Sequence, residues 1–138
     1  MSTRASVLTA LLLLAGCSRQ DGGQAGDFGE NRRFTVVEIV RGGNAHRVGG
    51  NATPSITIGD QEFVADTGCN VVRGRLAPVG GGLAIQAAGG TARGCPPSLV
   101  VQDELLVEAL RVGAVISISG RELAVRTGTT TVRATQVG

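Results

Sequence analysis

A chain of 138 residues carries 13 Arg, no Lys, 11 acids and a single His, for a formal net charge of +2. The basic residues are scattered among the acids, which excludes the clustered basic face of a nucleic-acid binder. Glycine supplies 22 residues and aromatics only three, all Phe, so the core is expected to be Val, Leu, Ile and Ala carried on short strands between many turns, in one domain.

The chain opens "MSTRASVLTALLLLAGCSRQ", with Arg4 followed by an apolar run from Ala5 to Ala15. As a helix that run covers about 16 Å, roughly half of a ~30 Å hydrocarbon core, so it reads as an export signal and not as a span. Its end, Leu14-Ala15-Gly16-Cys17, resembles the lipobox of bacterial lipoprotein precursors at every position. That resemblance implies cleavage between Gly16 and Cys17 and a diacylglyceryl thioether on Cys17. The alternative is an ordinary secretory signal with a chance cysteine. The expected layout is then a signal peptide over 1–16, a tether over 17–32 and a domain over 33–138. The implied location is the cell envelope, with the membrane as a partner through the lipid on Cys17. Ser18 after the cysteine, in place of Asp, leans towards the outer membrane of a diderm cell. The tether "SRQDGGQAGDFGENRR" is polar and glycine-rich, with a root-mean-square reach of roughly 20 Å.

"FTVVEIV" (Phe34 to Val40) reads as a strand, and "RGGNAHRVGGNATP" as irregular chain. "SITIGDQEFVA" reads as a hairpin turning at Gly59-Asp60, and the pieces Val71 to Ala77 and Leu83 to Ala87 as a second hairpin about Gly80-Gly81-Gly82. One helix is predicted between Ser98 and Arg111. Ser98 is its cap, Val101, Leu105, Leu106 or Ala109 and Val112 its apolar side, and Gln102, Asp103, Glu104 and Glu108 part of its wet face. "AVISISGRELAVRTGTTTVRAT" then supplies three strands turning at Gly120-Arg121 and near Gly128, with Leu123 and Val125 on one side.

In this order the elements resemble the META domain family, including its HslJ-like group. The matching pieces are Gly68-Cys69-Asn70 with Gly74, then Leu83, Thr91 through Cys95 and Pro96, "ELLVEAL", and "ISISGRELAV". The chain departs from the family pattern at Phe34, where Trp is common, and at Arg93-Gly94, where Met-Ala is common. The resemblance implies an α+β fold, a curled antiparallel, half-barrel-like sheet with one packed helix. It also implies an association with envelope stress.

An odd cysteine number in an exported chain asks for an explanation, which a lipidated Cys17 supplies. Cys69 and Cys95 then either pair as a disulfide or remain buried thiols. Two cysteines 26 apart and the lone His46 do not spell a zinc set, so no metal and no cofactor are expected. Asp66-Thr67-Gly68 matches the catalytic triplet of retroviral-type aspartic proteases. However, Cys69 replaces that family's Ala or Ser, and only Phe63-Val64-Ala65 stands in for its long apolar strand. The triplet therefore reads as a turn, with Gly68 at positive φ and Asn70 bonding the backbone, and no catalytic residue is assigned. The functional expectation is a non-enzymatic, monomeric binding or scaffolding module with an envelope protein as partner. The alternatives are the aspartic protease and a carrier of an apolar ligand on the concave side of the sheet.

Overall fold

The structure, a computed structural model, describes residues 31–48 and 52–137. Its elements in chain order are β1 (Arg32–Arg41), β2 (Asn44–Arg47), β3 (Ser55–Ile58), β4 (Glu62–Asp66), β5 (Val71–Val79), β6 (Gly82–Gly90), α1 (Val100–Ala109), β7 (Val115–Ser119), β8 (Glu122–Thr127) and β9 (Thr130–Gln136). Cys17, the signal-like segment and the tether as far as residue 30 lie outside the described residues.

The sheet closes, where the sequence predicts a half-barrel. One edge of β1 pairs with β9 from Phe34 to Arg41, while the other pairs with β3 from Arg32 to Thr35. Eight strands thus form an antiparallel barrel in the order β1-β3-β4-β5-β6-β7-β8-β9. Closure removes the unpaired edges that an open sheet leaves exposed. A bulge between Val36 and Glu38 makes the long first strand fit. The extra residue, Val37, is turned to solvent, and the inward positions change phase from Phe34 and Val36 to Ile39. β2 is the one strand the sequence does not announce. It turns back from β1 at Gly42-Gly43, both at positive φ, and takes up the remaining edge of β1 from Glu38 to Arg41.

Strand alternation fills the barrel with side chains. Phe34, Ile56, Phe63, Ile85, Ile116 and Val132 are all at most 1% exposed and belong to one cluster. The concave side offered for an apolar ligand is therefore packed core, as expected for an eight-stranded barrel whose side chains fill the interior. Leu123 and Val125 face inward as the alternation predicts. The β3–β4 turn is displaced by one residue from the expected position. Gly59 N–H donates to the Glu62 carbonyl, leaving Asp60 and Gln61 at the centre, with Gln61 at φ +59°. The Gln61 carbonyl accepts from Leu76 N–H at 2.8 Å, an anchor that holds this costly conformation.

The helix is shorter than predicted, and its apolar side is as predicted at Leu105, Leu106 and Ala109 but not at its ends. It begins after Leu99 with no side-chain cap, so Ser98 does not cap it. Leu105, Leu106, Ala109 and the following Leu110 pack into the barrel cluster. Val101 and Val112, assigned to the apolar side, are 55% and 60% exposed. At its end the Thr127 hydroxyl donates to the Ala109 carbonyl at 2.5 Å. The half-exposed Arg41–Glu108 ion pair contributes little.

Gly74 shows how tightly the wall is built. It sits opposite Phe63 in the β4–β5 ladder, and a Cβ there would lie 2.2 Å from the Ala87 carbonyl oxygen and 2.3 Å from a Phe63 ring carbon. The ring lies over the bare backbone, and any side chain displaces it. Gly74→Ala is expected to destabilise the fold by about 2 kcal/mol, lowering Tm by roughly 8–16 °C in a thermal melt followed by circular dichroism.

Candidate functional site

The chain between β4 and β5 is four residues long and carries most of the motif read from the sequence. Asp66 ends β4, and its carboxylate accepts the Gly68 N–H at 2.8 Å. Gly68 takes φ +95°, and a Cβ on it would stand 2.9 Å from Gln102 Nε2 and 3.1 Å from Ala52 Cβ. Both the dihedral and the crowding call for glycine. Thr67 is fully buried. Its N–H donates to the Asn70 carbonyl, and its hydroxyl oxygen accepts the N–H groups of Asn70 at 2.8 Å and Cys69 at 3.2 Å. The Thr67 hydroxyl proton in turn goes to the Asp103 carboxylate.

Asn70, only 3% exposed, is the centre of the arrangement. Its side-chain Oδ1 accepts from Arg93 N–H and from the Thr91 hydroxyl, both at 2.8 Å. Its Nδ2 donates to the Arg93 carbonyl at 3.2 Å and to the two Asp103 oxygens at 3.1 and 3.2 Å. A side-chain amide that bonds both the N–H and the C=O of one residue does what a neighbouring peptide group would do in a ladder. Just before it, Thr91 N–H donates to the Val71 carbonyl at 3.0 Å, and the Thr91 hydroxyl oxygen accepts Val71 N–H at 3.0 Å. Asn70 thereby extends the β5–β6 pairing past the end of β6 into a segment without regular structure.

The same segment is stapled covalently. Cys69 and Cys95 form a disulfide with Cα atoms 5.8 Å apart and a sequence separation of 26. The helix is tied in by two residues that the sequence reading placed on its wet face. Gln102 Nε2 donates to the Thr67 carbonyl at 2.7 Å, and Asp103 receives Thr67 and Asn70 as described. Both are partly buried. A sequence signal for them existed, because Gln102 and Asp103 stand one helical turn before Leu106 and so continue the buried stripe.

Of the predicted motif residues, Gly68, Cys69, Asn70, Thr91 and Cys95 converge here. Gly74 belongs to the barrel wall, and Pro96 leads into the helix, where its carbonyl accepts Leu99 N–H at 2.9 Å. His46 lies on β2 and takes no part. Asp66, the acid of the protease-like triplet, is exposed and serves as a turn cap. The cluster's reactive groups are the two sulfurs and one carboxylate: Cys69 Sγ, Cys95 Sγ and an Asp103 oxygen lie within 4.8 Å of one another. Beside them opens a hollow of about 420 Å3 lined by Asp103, Glu104, Arg93 and Thr91 among others.

Asn70→Ala would strip the Arg93 peptide of its side-chain partner and leave the half-buried Asp103 carboxylate with Thr67 alone, so a loss of about 2 kcal/mol is expected in urea denaturation, within the roughly 1–3 kcal/mol of a lost buried partner. Reducing the disulfide is expected to cost about 3–4 kcal/mol from the entropy of the freed loop. Amide and disulfide hold the same segment, so the two losses together should differ from their sum. Strict additivity would show that the two links act independently.

The sequence pattern of the META domain matches residues 28–137. Among solved structures, an NMR structure of a protein from Burkholderia xenovorans superposes with a TM-score of 0.63 at 17% identity, covering 82% of this chain and 86% of that one. A second NMR structure gives 0.58 at 23% identity, covering 75% and 87%. At such identities the likeness is one of fold. Among curated proteins none matches in sequence. With the family pattern spanning the whole barrel, its helix and the Gly68-Cys69-Asn70 turn, the chain belongs to the META domain family.

Proposed function

We propose that this protein is a lipid-anchored component of the bacterial cell envelope, in which a rigid META barrel serves as a non-enzymatic binding or scaffolding module, engaged under envelope stress, for another envelope protein. The observation that carries the reading is the Cys69–Cys95 disulfide. It accounts for two of the three cysteines and fits an oxidising, extracytoplasmic compartment. The third is Cys17, at the position where the lipobox-like stretch calls for a lipid. No helix among the described residues is long and apolar enough to cross a membrane. Two or three acyl chains, at about 0.8 kcal/mol per buried methylene, suffice for a lasting tether.

The interior supports a binding role on the outside of the barrel. Its volume is taken up by the protein's own side chains, so a partner meets the outward strand faces, the helix or the surface beside the disulfide. The Asp66-Thr67-Gly68 triplet supports a structural role too, since the carboxylate holds its own turn and the threonine hydroxyl is committed to Asp103.

Metabolic labelling with palmitate in the native host tests the anchor. The wild-type protein is expected to take up label and to sediment with membranes. Cys17→Ser should lose both properties while keeping its thermal stability. An equally anchored and processed serine variant contradicts the proposal. Crosslinking in intact cells, followed by identification of the attached species, is expected to recover an envelope protein only from the anchored form.

A further inference from the structure

We propose that the dithiol form of this protein binds one Zn2+ through Cys69, Cys95 and Asp103, so that the disulfide and a bound cation are alternative occupants of one site. The inference does not depend on the lipid anchor. It starts from distance. The two Sγ atoms and an Asp103 oxygen are already mutually within 4.8 Å, and donors bound to one zinc at about 2.0–2.3 Å in tetrahedral array stand roughly 3.3–3.8 Å apart. Cα atoms at 5.8 Å leave the two sulfurs only side-chain torsions to adjust. Asp103 comes from the first turn of α1, so the three donors belong to three separate segments, each held by bonds other than the disulfide. Cys69 N–H is bound to the Thr67 hydroxyl, the Arg93 residue two positions before Cys95 is held by Asn70 through its N–H and carbonyl, and Gln102 fixes the helix through the Thr67 carbonyl.

The surroundings are those of a metal site with its outer groups in place. Asn70 Nδ2 lies 3.5 Å from Cys95 Sγ and 3.8 Å from Cys69 Sγ, and it also holds the Asp103 oxygens. With its two protons given to the Arg93 carbonyl and to Asp103, the amide packs against both sulfurs and orients the carboxylate. Thr67 orients the carboxylate from the other side. All three ligand residues are partly exposed, which gives an ion a way in from solvent and leaves a water access to the fourth position. Two sulfurs with one carboxylate oxygen suit zinc better than Cu+, which prefers sulfur alone.

The chemistry balances simply. A phosphine reductant supplies two electrons and takes up the oxygen of one water as its oxide, the S–S bond breaks, and the two protons of that water complete the thiols. Zn2+ then displaces those two protons as it forms two Zn–S bonds, and the carboxylate completes the protein's share. Reoxidation by a disulfide oxidant reverses the order and expels the metal.

The test uses the full chain carrying Cys17→Ser, which keeps that thiol out of the measurement, with Zn2+ alone as the probe. Native mass spectrometry and competition with a chromophoric chelator are expected to show one Zn2+ per phosphine-reduced chain. The oxidised chain and a Cys69→Ser/Cys95→Ser variant should show none. Asp103→Asn keeps a hydrogen-bonding group in place for Thr67 and Asn70. It is expected to weaken binding by about tenfold or more, given that even outer groups are worth about 10–100-fold. Zinc should also raise the Tm of the reduced chain and leave that of the oxidised chain unchanged. Equal affinity in reduced and oxidised chains, undiminished affinity in Asp103→Asn, or a reduced chain that stays unfolded with zinc present would each overturn the proposal.

Discussion

One side-chain amide sets the geometry on which the polar end of this molecule depends. A β-ladder is held by peptide groups facing peptide groups, and β6 ends at Gly90 while the chain must still travel to the helix. Asn70 supplies the missing peptide from the turn just before β5, presenting an acceptor and a donor to Arg93. Aspartate at this place lacks the donors and would stand against the Asp103 carboxylate. Glutamine has the groups on a longer arm. The need for both a donor and an acceptor at a fixed reach explains why the turn is written with asparagine, and why Gly68 must bend the backbone before it.

The disulfide has a different physical office from the amide. It restricts the unfolded chain by closing a loop, whereas the amide, itself buried, fixes the path of the folded one by bonding the Arg93 peptide and Asp103. Placing both on one segment couples them energetically, yet reduction need not dissolve the site, because the bonds of Asn70, Thr67 and Gln102 to their partners do not pass through sulfur. This persistence is what makes a second occupant of the thiols worth considering.

Most of the barrel was legible in the chain, since β-branched runs and glycine-marked turns give eight of its strands directly. Three features were not. Asn44–Arg47 contains no β-branched or aromatic residue, and it is a strand because β1 leaves an edge free beside a tight turn. Closure joins Phe34 to Gln136, a contact between the ends of the domain with no local signal. The helix face is legible at Leu105, Leu106 and Ala109 but not at its start and end, because Val101 and Val112 are apolar yet exposed, while Gln102 and Asp103 are polar yet docked. Hydrophobicity predicts burial against oil-like surroundings, and this end of the barrel offers backbone carbonyls and amides instead. The cluster itself was half visible: Gly68, Cys69, Asn70, Thr91 and Cys95 follow from the family pattern, but the residue types alone do not say that Thr67 and Asp103 complete it.

Amide hydrogen exchange at Arg93 tests the role given to Asn70 most directly. Arg93 is a solvent-exposed residue outside any strand, so its N–H should exchange quickly unless the Asn70 side chain holds it. The account predicts protection comparable to that of the Thr91 amide, well above that of exposed Gly94, in the oxidised and the reduced protein alike. An Arg93 amide that exchanges as fast as that of Gly94 would contradict it.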